Sequence, residues 1–134
     1  MQRQNDPIPT PIRLSALWAA TMFCYVYGDY FGLYVDGKLE AVAQGSIGPL
    51  GHASPGILVA VSLMMAIPAC MVALSVLLPP AASRWSNIIL GIAYTGIMAL
   101  TIQGSPPFYF TLAIIEMILT LSIAVVAWTW PRAK

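Results

Sequence analysis

Charge is what this chain most lacks. Of its 134 residues only 8% are Asp, Glu, Lys or Arg, against 59% hydrophobic. From Trp85 to Pro131, 47 residues in a row carry one formal charge, at Glu116. In water so long an apolar stretch would aggregate or need a large protein around it, whereas a bilayer accepts it. Histidine is nearly absent: His52 stands alone in a Gly/Pro-rich stretch. The two cysteines, Cys24 and Cys70, fall inside apolar segments and read as small packing residues, not as a disulfide or a metal pair. A zinc or haem site needs more ligands at helical spacing than this, so no metal and no cofactor is expected. A net charge of +1 offers no basic surface, and no nucleic-acid partner is expected. A cleaved signal peptide is not expected either, because the first apolar segment is too long, lacks an A-x-A-like exit and contains Asp29.

What is present is four apolar segments. About 20 apolar residues span a bilayer as a helix, so four spans and short loops use nearly the whole length and leave no room for a soluble catalytic domain. The sequence predicts one all-α domain, an integral membrane four-helix up-down bundle. Its spans are expected at about 12–34, 56–78, 86–103 and 108–130. Pro7, Pro9 and Pro11 mark an extended, mobile N-terminal tail over residues 1–11. Between the first two spans, the part holding Asp36, Lys38 and Glu40 is expected to form a short interfacial turn of helix. The part with Gly45, Gly48, Pro49, Gly51 and Pro55 is expected to be loop. Pro79-Pro80, Pro106-Pro107 and Pro131 bound the later spans.

Orientation follows from Lys and Arg. Four spans put Arg3, Arg13, Arg84, Arg132 and Lys134 on one side and only Lys38 on the other, so both termini are expected in the cytoplasm. Trp18, Trp85, Trp128 and Trp130 fall near the cytoplasmic ends and Tyr30, Tyr34 and Tyr109 near the other, as interfacial aromatics do. Arg84-Trp85 reads first as an interface anchor and second as a lipid-headgroup contact.

The helix faces give the candidate residues. Ala16, Ala20, Cys24, Gly28 and Gly32 recur every fourth position, a stripe suited to close helix contact within the bundle or between protomers. Beside it run Thr21, Tyr25 and Asp29. The third span sets Asn87, Gly91, Tyr94, Met98 and Thr101 on one face, and the fourth sets Tyr109, Leu112, Glu116 and Thr120. These polar faces are expected to point inward, because lipid leaves polar atoms unsatisfied. Pro68 in mid-span frees the Met64 carbonyl and predicts a kink.

At 1.5 Å per residue, Asp29 lies roughly 8 Å and Glu116 roughly 12 Å inside the outer ends of their helices. First and last helices are neighbours in an up-down bundle, so both acids are expected to face one outward-opening cavity. The ligand-binding candidates are Glu116, Asp29, Tyr25, Tyr94, Tyr109 and Gln103. Two carboxylates close together in low dielectric do not both ionise comfortably, so Glu116 is expected to hold a proton part of the time. An intramembrane acid is a functional candidate by default, set against the plainer role of interhelical glue.

The segments Arg13-Leu14-Ser15-Ala16-Leu17-Trp18, Tyr27-Gly28-Asp29, Pro55-Gly56, Ile67-Pro68 and Arg84-Trp85-Ser86-Asn87, with Glu116, resemble a family of small four-helix bacterial membrane proteins of uncharacterised function. In size and layout that family is similar to the DoxX-like group. The resemblance implies a multi-pass protein of the inner membrane and brings no activity. Three readings follow. One is a module that binds or transports a small or lipophilic ligand with proton linkage, a lipophilic cation being one such ligand. Another is an accessory subunit or homodimer packing through the Ala16–Gly32 stripe. The least supported is an enzyme acting on a lipid or quinone-like substrate. No catalytic residue is assigned, because no nucleophile–base pair is visible.

Overall fold

A computed structural model describes residues 7–47 and 51–131. Arg3, Gly48, Pro49, Arg132 and Lys134 lie outside the described residues, as does most of the expected N-terminal tail. The described chain is all-α, with helices α1 (Thr10–Gly32), α2 (Lys38–Ala43), α3 (Pro55–Leu77), α4 (Pro80–Thr101) and α5 (Pro107–Trp128). No strand occurs among the described residues; a lone bridge pairs Ser46 with His52.

Proline sets where the long helices begin. Pro9, Pro79 and Pro106 are N-caps in extended geometry, and a proline occupies one of the first two positions of α1, α3, α4 and α5. The backbone N–H that proline lacks is one that a helix start leaves unpaired anyway. Ser54 caps α3 by accepting the Ile57 N–H at 3.2 Å. This corrects two expected boundaries. The third long helix starts at Pro80, not Ser86, so Arg84 and Trp85 sit in its first turns and not in a loop. The first starts at Thr10 and absorbs Pro11. Helix α2 fills the stretch where a short turn of helix is expected.

The most extensive contact is α4 on α5; α1 packs on α5 and on α3, and α3 meets α4 over a smaller seam. Gly91 explains the close approach of α4 and α5. A Cβ there would stand 2.9 Å from the Thr120 carbonyl oxygen and 3.1 Å from the Ala124 nitrogen. One end of the core is polar and fully buried. Trp18 Nε1 donates to Asn87 Oδ1 at 2.7 Å, and Ser75 Oγ donates to the same oxygen at 3.3 Å. Asn87 Nδ2 donates to the Ser83 carbonyl at 2.7 Å, and Ser83 Oγ to the Ser75 carbonyl at 2.9 Å. Together these bonds tie α1, α3 and α4. Trp18 is therefore a core residue, 0% exposed, and not the interfacial anchor expected from its position; Trp85 and Trp128 are exposed.

The outer faces are apolar. Helices α3 and α5 are long and apolar enough to cross a membrane, with mean hydropathies of 2.6 and 2.3 over their most apolar stretches. Only 11% of that stretch of α3 is buried inside the protein.

Candidate functional site

Helix α5 turns Glu116 inward with Ala113 and Thr120, three and four residues away on the same face. Glu116 is 3% exposed, and its Oε2 is buried with no hydrogen-bond partner among the described residues. Helix α1 brings Tyr25 beside it, 8% exposed, and the Tyr25 hydroxyl is the other buried side-chain polar atom left without a partner among the described residues. Gly28 faces the same residues: the place a Cβ would take lies 3.6 Å from Leu112 Cδ1 and 4.0 Å from Glu116 Oε1, ordinary contact distances. A buried polar atom with no partner costs about 1–3 kcal/mol, and two such atoms here stand beside one cavity.

That cavity, of about 180 Å³, is lined by residues of α1, α3, α4 and α5. Glu116, Tyr25, Asp29, Tyr94 and Tyr109 all line it, so five of the six residues singled out in the sequence lie together. Their parts differ. Asp29 is exposed and stands at the rim. Tyr109 is half-buried. The Tyr94 hydroxyl is already engaged, donating to the Met64 carbonyl that Pro68 leaves without its helical donor. Gln103 does not join them: α4 ends at Thr101, and Gln103 lies exposed in the turn that follows, outside the cavity lining.

The contribution of α3 was not singled out from the sequence. Val61, Met64 and Met65 close the cavity opposite Glu116, with Met98 of α4 adjoining them. A signal was available, since 61, 64, 65, 68, 71 and 75 follow the three-to-four spacing of one helix face, and Pro68, Met71 and Ser75 are its buried part. Among the described residues, no Lys or Arg lines the cavity. The site thus offers a buried carboxylate oxygen, one unpartnered phenol, three aromatic faces and adaptable thioethers. Such a set suits a small ligand with an apolar body and a positive charge.

The small-residue stripe of α1 divides. Gly28 packs against α5, while a Cβ at Gly32 would meet nothing within 4 Å and Ala16 is exposed.

A family model described as a family of unknown function, DUF6326, matches residues 11–134. No curated protein and no solved structure matches the chain.

Proposed function

The chain belongs to that family of unknown function, and we propose that it is a multi-pass inner-membrane protein that binds or carries a small lipophilic cation at Glu116 in exchange for a proton. In this reading α1, α3, α4 and α5 form a four-helix up-down bundle across the membrane with both termini cytoplasmic. The exposed, apolar character of α3 supports it, since a helix of that hydropathy left uncovered by protein needs lipid as its solvent. The likeness in layout to the DoxX-like group belongs to this reading and contributes no residue to it.

The observation that carries the ligand is the Glu116 Oε2, unpartnered among the described residues and facing an aromatic cavity that none of the described Lys or Arg residues lines. Cation and proton compete for that oxygen. The described titratable groups around it are Cys24, Tyr25 and Asp29 of α1, Tyr94 of α4 and Tyr109 of α5; α3 contributes none. The volume of about 180 Å³ is below the usual range for drug-sized ligands, roughly 300 Å³ upward, and selects a small molecule. Benzyltrimethylammonium is a suitable probe. Its affinity for the detergent-solubilised protein falls as pH falls, and Glu116→Gln lowers it at least about tenfold, or ~1.4 kcal/mol, and removes the pH dependence. Unchanged affinity and pH profile in that variant refute the reading.

A second reading, packing against another copy or a larger membrane complex, is favoured by the open ends of the α1 stripe at Ala16 and Gly32. Gly32→Leu blocks such a contact without touching the cavity. Retention of the same oligomer and the same co-purifying partners by that variant argues against it.

A further inference from the structure

A second cavity lies at the other end of the molecule, where the first turns of α4 meet the last turn of α5. It measures about 520 Å³, and Arg84, Trp85, Trp128 and Trp130 line it between Pro80 and Pro131. Among the described residues, Arg84 is the only charged one that lines it. The guanidinium donates from Nε to the Ala127 carbonyl and from Nη2 to the Trp128 carbonyl, both at 3.2 Å, and so pairs two carbonyls at the end of α5. Arginine has five N–H donors, so three have no protein partner among the described residues. The four described acids are all distant: Asp29 lies in the last turn of α1, at its far end, Asp36 and Glu40 follow that end, and Glu116 lies three turns up α5.

The indoles say which kind of anion fits. The guanidinium carbon is 5.0 Å from the Trp85 ring centroid and 5.5 Å from that of Trp128, so both rings share one side of the α4–α5 seam. Helical spacing carries that side onward through Ile89 and Ile92 on α4 and through Val125 and Leu121 on α5. All four are exposed, from 49% to 62%. A cationic head thus opens onto two parallel apolar strips, which matches a phosphate attached to an acyl chain and not a free phosphate.

We propose that this cleft is a binding site for an anionic phospholipid, with Arg84 holding the headgroup phosphate and the strips below Trp85 and Trp128 holding an acyl chain. The proposal rests on the membrane reading above and is independent of any ligand at Glu116. Arginine matches phosphate geometry, and its planar head is close to two indoles, side chains that favour the membrane interface.

The test uses the full chain in detergent, stripped of lipid and followed by native mass spectrometry. The probes are phosphatidylglycerol, diacylglycerol with the same chains, and inorganic phosphate. Phosphatidylglycerol is expected to bind about tenfold tighter than diacylglycerol. A large excess of inorganic phosphate leaves it bound, and Arg84→Gln reduces its affinity to that of diacylglycerol. Equal binding of the two lipids, an undiminished preference in Arg84→Gln, or displacement by free phosphate overturns the proposal. If Arg84→Gln does not fold, the Trp85→Ala/Trp128→Ala pair replaces it, since that variant keeps the arginine and both carbonyls. It is expected to weaken phosphatidylglycerol severalfold, and full affinity refutes the site. Benzyltrimethylammonium binding in the same preparations tells a failure here from a failure at Glu116, and recovery of the protein without detergent would instead strike the membrane reading itself.

Discussion

At the scale of single residues, the fold depends most on a few polar atoms and one missing side chain. Asn87 meets three elements at once, accepting from Trp18 and Ser75 and donating to Ser83. Asn87→Leu leaves the Trp18 N–H buried and unpaired and is expected to cost about 1–3 kcal/mol. Trp18→Phe removes the donor instead and is expected to cost less at this bond, about 1 kcal/mol; unfolding in mixed detergent micelles measures both. The glycines separate as sharply. Gly91→Ala drives a methyl into the backbone of α5 and is expected to destabilise by about 1–3 kcal/mol. Gly32→Ala meets open space and is expected to be neutral or to gain up to about 1 kcal/mol from helix propensity. The sequence points to Gly28 and Gly32 through their four-residue spacing, yet among the described glycines it is Gly91 that has backbone within 3 Å of where a Cβ would stand. Spacing reveals a repeated small face on one helix; it does not reveal which partner helix comes close enough to need it.

At the scale of elements, the prolines are the most readable signal, but their role is ambiguous. Pro79-Pro80 reads as the stop of the second span, with the third beginning at about residue 86, whereas the pair forms the N-cap and first residue of α4. Proline breaks a helix before it and starts one after it with equal ease, and only the following apolar periodicity tells which. In α3 the interior Pro68 frees the Met64 carbonyl, and Tyr94 of α4 takes it. The two are therefore coupled. Tyr94→Phe is expected to cost about 1 kcal/mol more in the parent protein than in the Pro68→Ala background, where a restored helical N–H satisfies the same carbonyl. A double-mutant cycle on unfolding measures the difference, and additive effects would show that the bond does not hold the α3–α4 seam.

At the scale of the whole molecule, several polar side chains are buried while many large apolar ones are exposed. That inversion is why Glu116, Tyr25 and Tyr94 could be assigned to the interior from composition and helical spacing alone, and why Gln103, beyond the end of its helix, could not. The depth of Val61, Met64 and Met65 depends on how α3 lies across α4, which no pattern within α3 encodes. The topology proposed here predicts that single cysteines introduced beside Arg13 and Arg84 are labelled by an impermeant thiol reagent only from the cytoplasmic side, and one beside Lys38 only from the other. Labelling of the first pair from opposite sides would break the four-span arrangement. The most direct measurement of the central claim is the rate at which an apolar carbodiimide modifies Glu116 in membranes, read by peptide mass spectrometry with and without benzyltrimethylammonium. Modification that slows as the cation saturates, while Asp36 and Glu40 react unchanged, is the result predicted; a rate at Glu116 indifferent to the cation would contradict it.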